Sequence, residues 1–231
     1  MRYLQLDFIR GIAILLMIVF HLCFDLNNFH FINIDIYHRV DRDWFYFRMI
    51  ILTLFIVCVG ISLALANEEK IDMQKVKKRF IQLSFFSVLI TVASYITFPQ
   101  TWIYFGVLHF ITVASLMALI FVRHEWIALI FAVLIIVLFN LNIINMHWLY
   151  ELTREVLHLP VKTEDLVPLT PWFGVVLIGI FIGKKRLFLF PLSSNRFTKF
   201  IGLLGKHSLI IYLLHQPLLF GMIFGADWIL H

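Results

Sequence analysis

Apolar runs of about twenty residues recur along this chain, and they leave it little choice of solvent. They fall at about 8–26, 44–66, 80–98, 105–122, 126–146, 169–190 and 208–230, each near the roughly 20 residues that carry a helix across hydrocarbon. Hydrophobic residues make up 61% of the 231, charged residues only 14%, and the mean hydropathy is +0.92. No ordinary soluble domain of this size has that balance. The pattern predicts an all-α, polytopic membrane protein of about seven transmembrane helices, a single domain over 1–231 with no soluble module and no internal repeat. The sixth helix has the shortest strongly apolar part, 172–183. The longest loop, 147–168, is predicted to hold a short helix over 148–157, ended by Pro160, and the basic stretch between the last two apolar runs reads as a loop. The first run lacks a small-x-small cleavage site and carries Arg10 and Asp25, so it reads as a retained span rather than a leader.

Charge gives the orientation. With the amino terminus inside, the inner segments hold 14 Lys and Arg and the outer ones Arg39, Arg42, Arg48, Arg154 and Lys162, and the bias holds across the alternating loops. This predicts the amino terminus in the cytoplasm and the carboxyl terminus outside. The net charge of +5 and pI near 9.3 arise from these loops and therefore speak of topology, not of nucleic acid. Cys23 and Cys58 both stand in apolar runs without C-x-x-C spacing, so neither a disulfide nor a metal site is expected.

The polar residues inside the apolar runs narrow the function. In DFIRGIAILLMIVFHLCFDL, Asp7, Arg10, His21 and Asp25 fall within an arc of roughly 60° at 100° per residue. Hydrocarbon should reject all four, and ionisable residues at such depth mark function. His21 and Asp25, one turn apart, read as a general base and the group that orients it. His109 in FGVLH, and Asp165 and Trp172 in DLVPLTPWFG, are placed at a similar outer depth, with His38 in the loop above. A second, inner group comprises Asp7 and Arg10 together with Ser208, Tyr212 and His215, which share one stripe of HSLIIYLLHQP; counting from the start of that run puts His215 roughly 10 Å from the inner face. Two stripes at different depths make a path suited to a donor arriving from one side and an acceptor waiting on the other. A small-molecule transporter or channel is the alternative reading of the same path, although no inverted repeat or paired broken helices accompany it.

The segments RYLQLDFIRGIAILLMIVFHLCFDL, LFIVCVGISLAL, FGVLHFITV, PLTPWFGVVLIGIFIG and LGKHSLIIYLLHQP, in this order and spacing, resemble the bacterial membrane proteins related to the catalytic domain of heparan-α-glucosaminide N-acetyltransferase. The resemblance implies transfer of an acyl group, acetyl first of all, from cytoplasmic acyl-coenzyme A to a hydroxyl or amine of a carbohydrate outside, in a bacterial cytoplasmic membrane. It implies catalytic roles for His21, Asp25 or His38, an acceptor pocket with His109, Asp165 and Trp172, and donor contacts from Asp7, Arg10, Ser208, Tyr212 and His215. The lysosomal enzyme of the family is similar at the RGIA start but has an asparagine in the position of His21 and its active histidine in the following loop, where His38 is the nearest counterpart here. The chemistry thus falls to His21 or to His38. The partners expected are the lipid bilayer, acetyl-coenzyme A and the carbohydrate; bare apolar helix faces also permit a homodimer.

Overall fold

The computed structural model describes residues 3–32 and 42–230, apart from the side chains of His147, Ala226, Asp227, Ile229 and Leu230. Among the described residues there are nine helices and no strand: α1 (Leu4–Asn28), α2 (Arg42–Ala66), α3 (Met73–Thr97), α4 (Val107–Ala118), α5 (Glu125–Asn140), α6 (His147–Leu157), α7 (Leu169–Lys184), α8 (Arg196–Lys206) and α9 (Ser208–Leu230). Each of the seven predicted apolar runs contains one of them. Four, in α1, α2, α3 and α9, are long and apolar enough to cross a membrane, while α4, α5 and α7 are shorter apolar helices. The helix expected in the long loop is α6; it ends at His158, whose φ of 50° is left-handed, two residues before Pro160.

Helix α8 departs from the expectation of a loop. It starts from a reciprocal cap in which Asn195 Oδ1 accepts from the Thr198 amide at 2.8 Å and Thr198 Oγ1 accepts from the Asn195 amide at 3.1 Å. Its Lys and Arg hide the apolar stripe from a hydropathy count, yet Ile201, Gly202 and Gly205 are buried. Helix α3 also opens on a side-chain cap: the Asp72 carboxylate accepts from the amides of Gln74 and Lys75. These amides, Lys75 first, hold the Asp72 carboxyl below the usual carboxylate range, so the ionised cap persists as pH falls until that lowered value is reached.

The chain divides into two compact units, with α2 contributing its first half to one and its second half to the other. In the first unit, Met1–Phe55 with Phe188–His231, α8 crosses the start of α1 at glycines. A Cβ on Gly205 would stand 1.8 Å from the Asp7 carbonyl oxygen, and one on Gly11 would stand 2.0 Å from that of Ile201, so only glycine lets the two backbones meet. Beyond this crossing α9 runs parallel to α1. Ile211 and Tyr212 pack on the core of Ile14, Met17 and Ile51, His215 reaches His21, and Phe220 and Phe224 reach Phe29.

The second unit, Ile56–Leu187, is built on α7. Gly60 and Gly179 bring the second half of α2 against it, the Cβ of either being barred by a carbonyl of the other helix at 2.1 and 2.4 Å. The segments before α4 and before α7 pair side by side, through Glu164 N–H to Thr101 O at 3.0 Å and Val167 N–H to Phe105 O at 3.1 Å. That pairing carries Asp165 to the start of α4.

Candidate active site

Seven of the predicted site residues lie in the first unit and three in the second; His38 lies outside the described residues. On α1, Asp7 is buried and pairs with Arg10, Nη1 to Oδ1 at 3.0 Å, across one turn. This is an i, i+3 ion pair at the end of the helix where α8 crosses. Ser208 begins α9 just past that crossing, and the stripe of Ser208, Tyr212 and His215 leads away from it.

His215 does not lie apart from His21 as the depth count predicted. The two rings are 4.8 Å apart between centroids, inclined at 57°. The reason is the glycine crossing. It sets Gly205 beside Gly11, so α9 begins partway along α1 and not at the membrane face. From its start at Ser208, α9 runs beside α1, with Ile211 and Tyr212 on the core of Ile14, Met17 and Ile51 and His215 against His21.

The hydrogen bonds of this pair fix one of its two tautomers. His215 Nδ1 lies 2.6 Å from the Tyr212 carbonyl oxygen. A carbonyl can only accept, so Nδ1 carries the proton and Nε2 of the neutral ring carries a lone pair. That Nε2 is buried and has no hydrogen-bond partner among the described residues; nor does the buried Nδ1 of His21. Asp25, one turn beyond His21, is 2% exposed and does not reach His21 Nδ1. The ring that meets the His21 imidazole from α9 is that of His215.

Aromatic rings wall the pair. Phe20 is edge-on to His21 at 5.4 Å and stacks on Trp44 at 4.7 Å, and Phe47 closes on both. Trp44 Nε1 and Gln216 Oε1 are again buried without a partner, and Arg48 of α2 is near enough for its charge to act on His21. Each unpaired buried polar atom costs about 1–3 kcal/mol, and native proteins pair more than about nine in ten of them. Trp44, Arg48 and Gln216 escaped the sequence reading: the first two stand on α2 before its apolar core, where a belt tryptophan and a topology arginine are the ordinary explanations.

In the second unit His109 is fully engaged. The Gly106 amide donates to Nδ1 at 3.3 Å, so Nε2 carries the proton and donates to Thr91 Oγ1 at 3.0 Å, and that hydroxyl donates onward to the Ile103 carbonyl at 2.8 Å. Thr91, one of several hydroxyl residues scattered along α3, gave no signal in the sequence. Asp165 accepts the Val107 amide at 2.8 Å, a favourable place for a carboxylate at a helix start. Trp172 is buried in the first turns of α7, just after a kink at Thr170 whose hydroxyl is buried without a partner. The open depression along α6, lined by Glu151, Arg154, Glu155 and His158, includes none of these residues. No group of three or more metal-ligating side chains occurs among the described residues.

The fold is thus that of an apolar helical protein suited to a bilayer, with the rings of His21 and His215 in contact in its first unit. The comparison with protein families agrees: the model of the family described as heparan-alpha-glucosaminide N-acetyltransferase, catalytic, matches residues 2–217, and the chain belongs to that family. Membership implies transmembrane acyltransferase activity. No curated protein matches the chain, and no solved structure does.

Proposed function

We propose that this protein transfers an acyl group, acetyl first of all, from acyl-coenzyme A on the cytoplasmic side of a bacterial membrane to a hydroxyl or amine of a carbohydrate on the outer side. The observation that carries the proposal is the buried, aromatic-walled His21 with an unpaired ring nitrogen, held in a chain of this family. His21 removes the acceptor's proton as the acceptor attacks the thioester carbonyl; the carbon–sulfur bond breaks and the proton passes to the leaving thiolate. Arg10, held by Asp7, and the neighbouring lysines receive the donor's phosphates. From there Ser208 and Tyr212 line the way along α9 to His215, beside which the thioester would arrive. Asp25 supports the far side of His21, while His109, Asp165 and Trp172 shape the acceptor pocket. Acetyl-coenzyme A acts as a substrate, and no metal takes part in the scheme.

The test is transfer from labelled acetyl-coenzyme A to a panel of amino sugars and polysaccharide fragments by the purified protein. Turnover is expected, with His21→Ala slower by about 10²–10⁴-fold and His38→Ala close to wild type. A folded His21→Ala variant of unchanged rate, with His38→Ala inactive, would move the chemistry to His38. Failure to bind coenzyme A in a calorimeter would turn the polar path into that of a transporter.

A further inference from the structure

We infer that His21 and His215 work as a single imidazole dyad, in which His215 takes the proton from His21 and its Tyr212 hydrogen bond keeps it able to do so. The inference rests on the acyltransferase reading for its reaction, but its geometry stands independently. The rings are 4.8 Å apart between centroids. The bond from Nδ1 to the Tyr212 carbonyl leaves Nε2 as a bare acceptor; that atom and His21 Nδ1 are both buried and, among the described residues, have no hydrogen-bond partner, so the rings touch without being bonded to each other. An imidazole serving only to line a channel has no need of a fixed tautomer; a proton acceptor does.

The proton balance closes within the dyad. The acceptor's O–H or N–H bond breaks at His21, which is briefly an imidazolium. Once the ring of His21 turns to bring its N–H onto His215 Nε2, its other ring proton moves there, and the positive charge passes to the second ring. When the carbon–sulfur bond breaks, the proton returns to the thiolate and both rings are neutral again. The arrangement keeps the charge from resting on one ring in an apolar site, where an isolated cation is costly. The titratable and charged groups around His21 are His215 on α9 and Arg48 on α2, with Asp25 one turn on along α1 and Tyr212 against His215. His215 acts through His21 and is thus a positioning and relay residue.

His215→Asn retains a side-chain N–H close to the Tyr212 carbonyl and removes the Nε2 acceptor; His215→Gln keeps a polar atom near the Nε2 position and serves if the first variant does not fold. For the dyad, kcat should fall at least about 100-fold with KM for acetyl-coenzyme A and for the acceptor within about threefold, and the His21→Ala/His215→Asn double variant should be no slower than His21→Ala alone. A raised KM for acetyl-coenzyme A at unchanged kcat, or losses that multiply in the double variant, would overturn it. A second readout needs no turnover: the pH profile of His21 carbethoxylation by diethylpyrocarbonate, followed by mass spectrometry. Coupled rings titrate together, so the midpoint at His21 must move in His215→Asn and His215→Gln; an unchanged midpoint overturns the dyad. A wild-type protein that transfers no acetyl group but shows this shift would instead remove the acyltransferase reading and leave the pair.

Discussion

At the scale of single residues, two histidines that look alike in sequence have different surroundings. His215 has one nitrogen engaged and one left over, whereas His109 has both satisfied, between the Gly106 amide and the Thr91 hydroxyl. A ring tied at both ends is held in place, which suits a residue that shapes a pocket more than one that exchanges protons. Thr91 is the key to that state, because it accepts from the ring and donates to Ile103 O. Thr91→Val keeps the shape but strands both partners, at a cost of on the order of 1–2 kcal/mol. Thermal unfolding in detergent should show that loss, together with a raised KM for the acceptor, while Thr91→Ser, with its hydroxyl retained, should restore both. A Thr91→Val protein as stable as wild type would mean that the relay contributes nothing. The sequence shows each histidine as polar and intramembrane; it cannot show which nitrogen is spoken for, since that depends on a threonine eighteen residues away.

At the scale of elements, the register between α1 and α9 decides which residues share the site. It starts from the close approach of Gly11 and Gly205 where α8 crosses α1, and apolar contacts of Ile211, Tyr212, Phe220 and Phe224 continue it along α9. Gly205→Ala therefore forces a Cβ into the Asp7 carbonyl. The helices must separate, and the expected loss is about 1–3 kcal/mol or more, accompanied by loss of activity as His215 leaves the level of His21. Gly221, on the same helix as His215, is the control: a Cβ there meets nothing within 4 Å, so Gly221→Ala should be neutral or stabilising. Equal stability of the two variants, measured by thermal unfolding, would show that the crossing tolerates a methyl group and does not fix the register. The seven apolar helices were readable from hydropathy because each run is long and uniform. Helix α8 was not, because its buried face of Thr198, Ile201, Gly202 and Gly205 is mostly small, and lysines interrupt the run. Missing α8 meant missing the crossing, and the depth assigned to His215 failed with it.

At the scale of the whole molecule, the parallel course of α1 and α9 limits the topology. If both cross the membrane, an odd number of crossings must separate them, and the five apolar helices α2, α3, α4, α5 and α7 meet that condition. Helix α4 has only 12 residues, about 18 Å of helix, short of the roughly 30 Å of hydrocarbon. Its start is capped by the carboxylate of Asp165, so backbone beyond the helix is satisfied by protein where lipid would offer nothing. Seven crossings together with the bias of Lys and Arg would put the segment before α3 in the cytoplasm and α6 outside. The two exposed positions Lys77 and Glu155 test this directly. With Cys23 and Cys58 replaced by serine, a membrane-impermeant maleimide added to intact spheroplasts should label Glu155→Cys and spare Lys77→Cys, and inverted vesicles should reverse the result. Labelling of both from one side would remove the seven-span arrangement, and with it the assignment of the donor to the α8 end of α1 and of the acceptor to the side of α6.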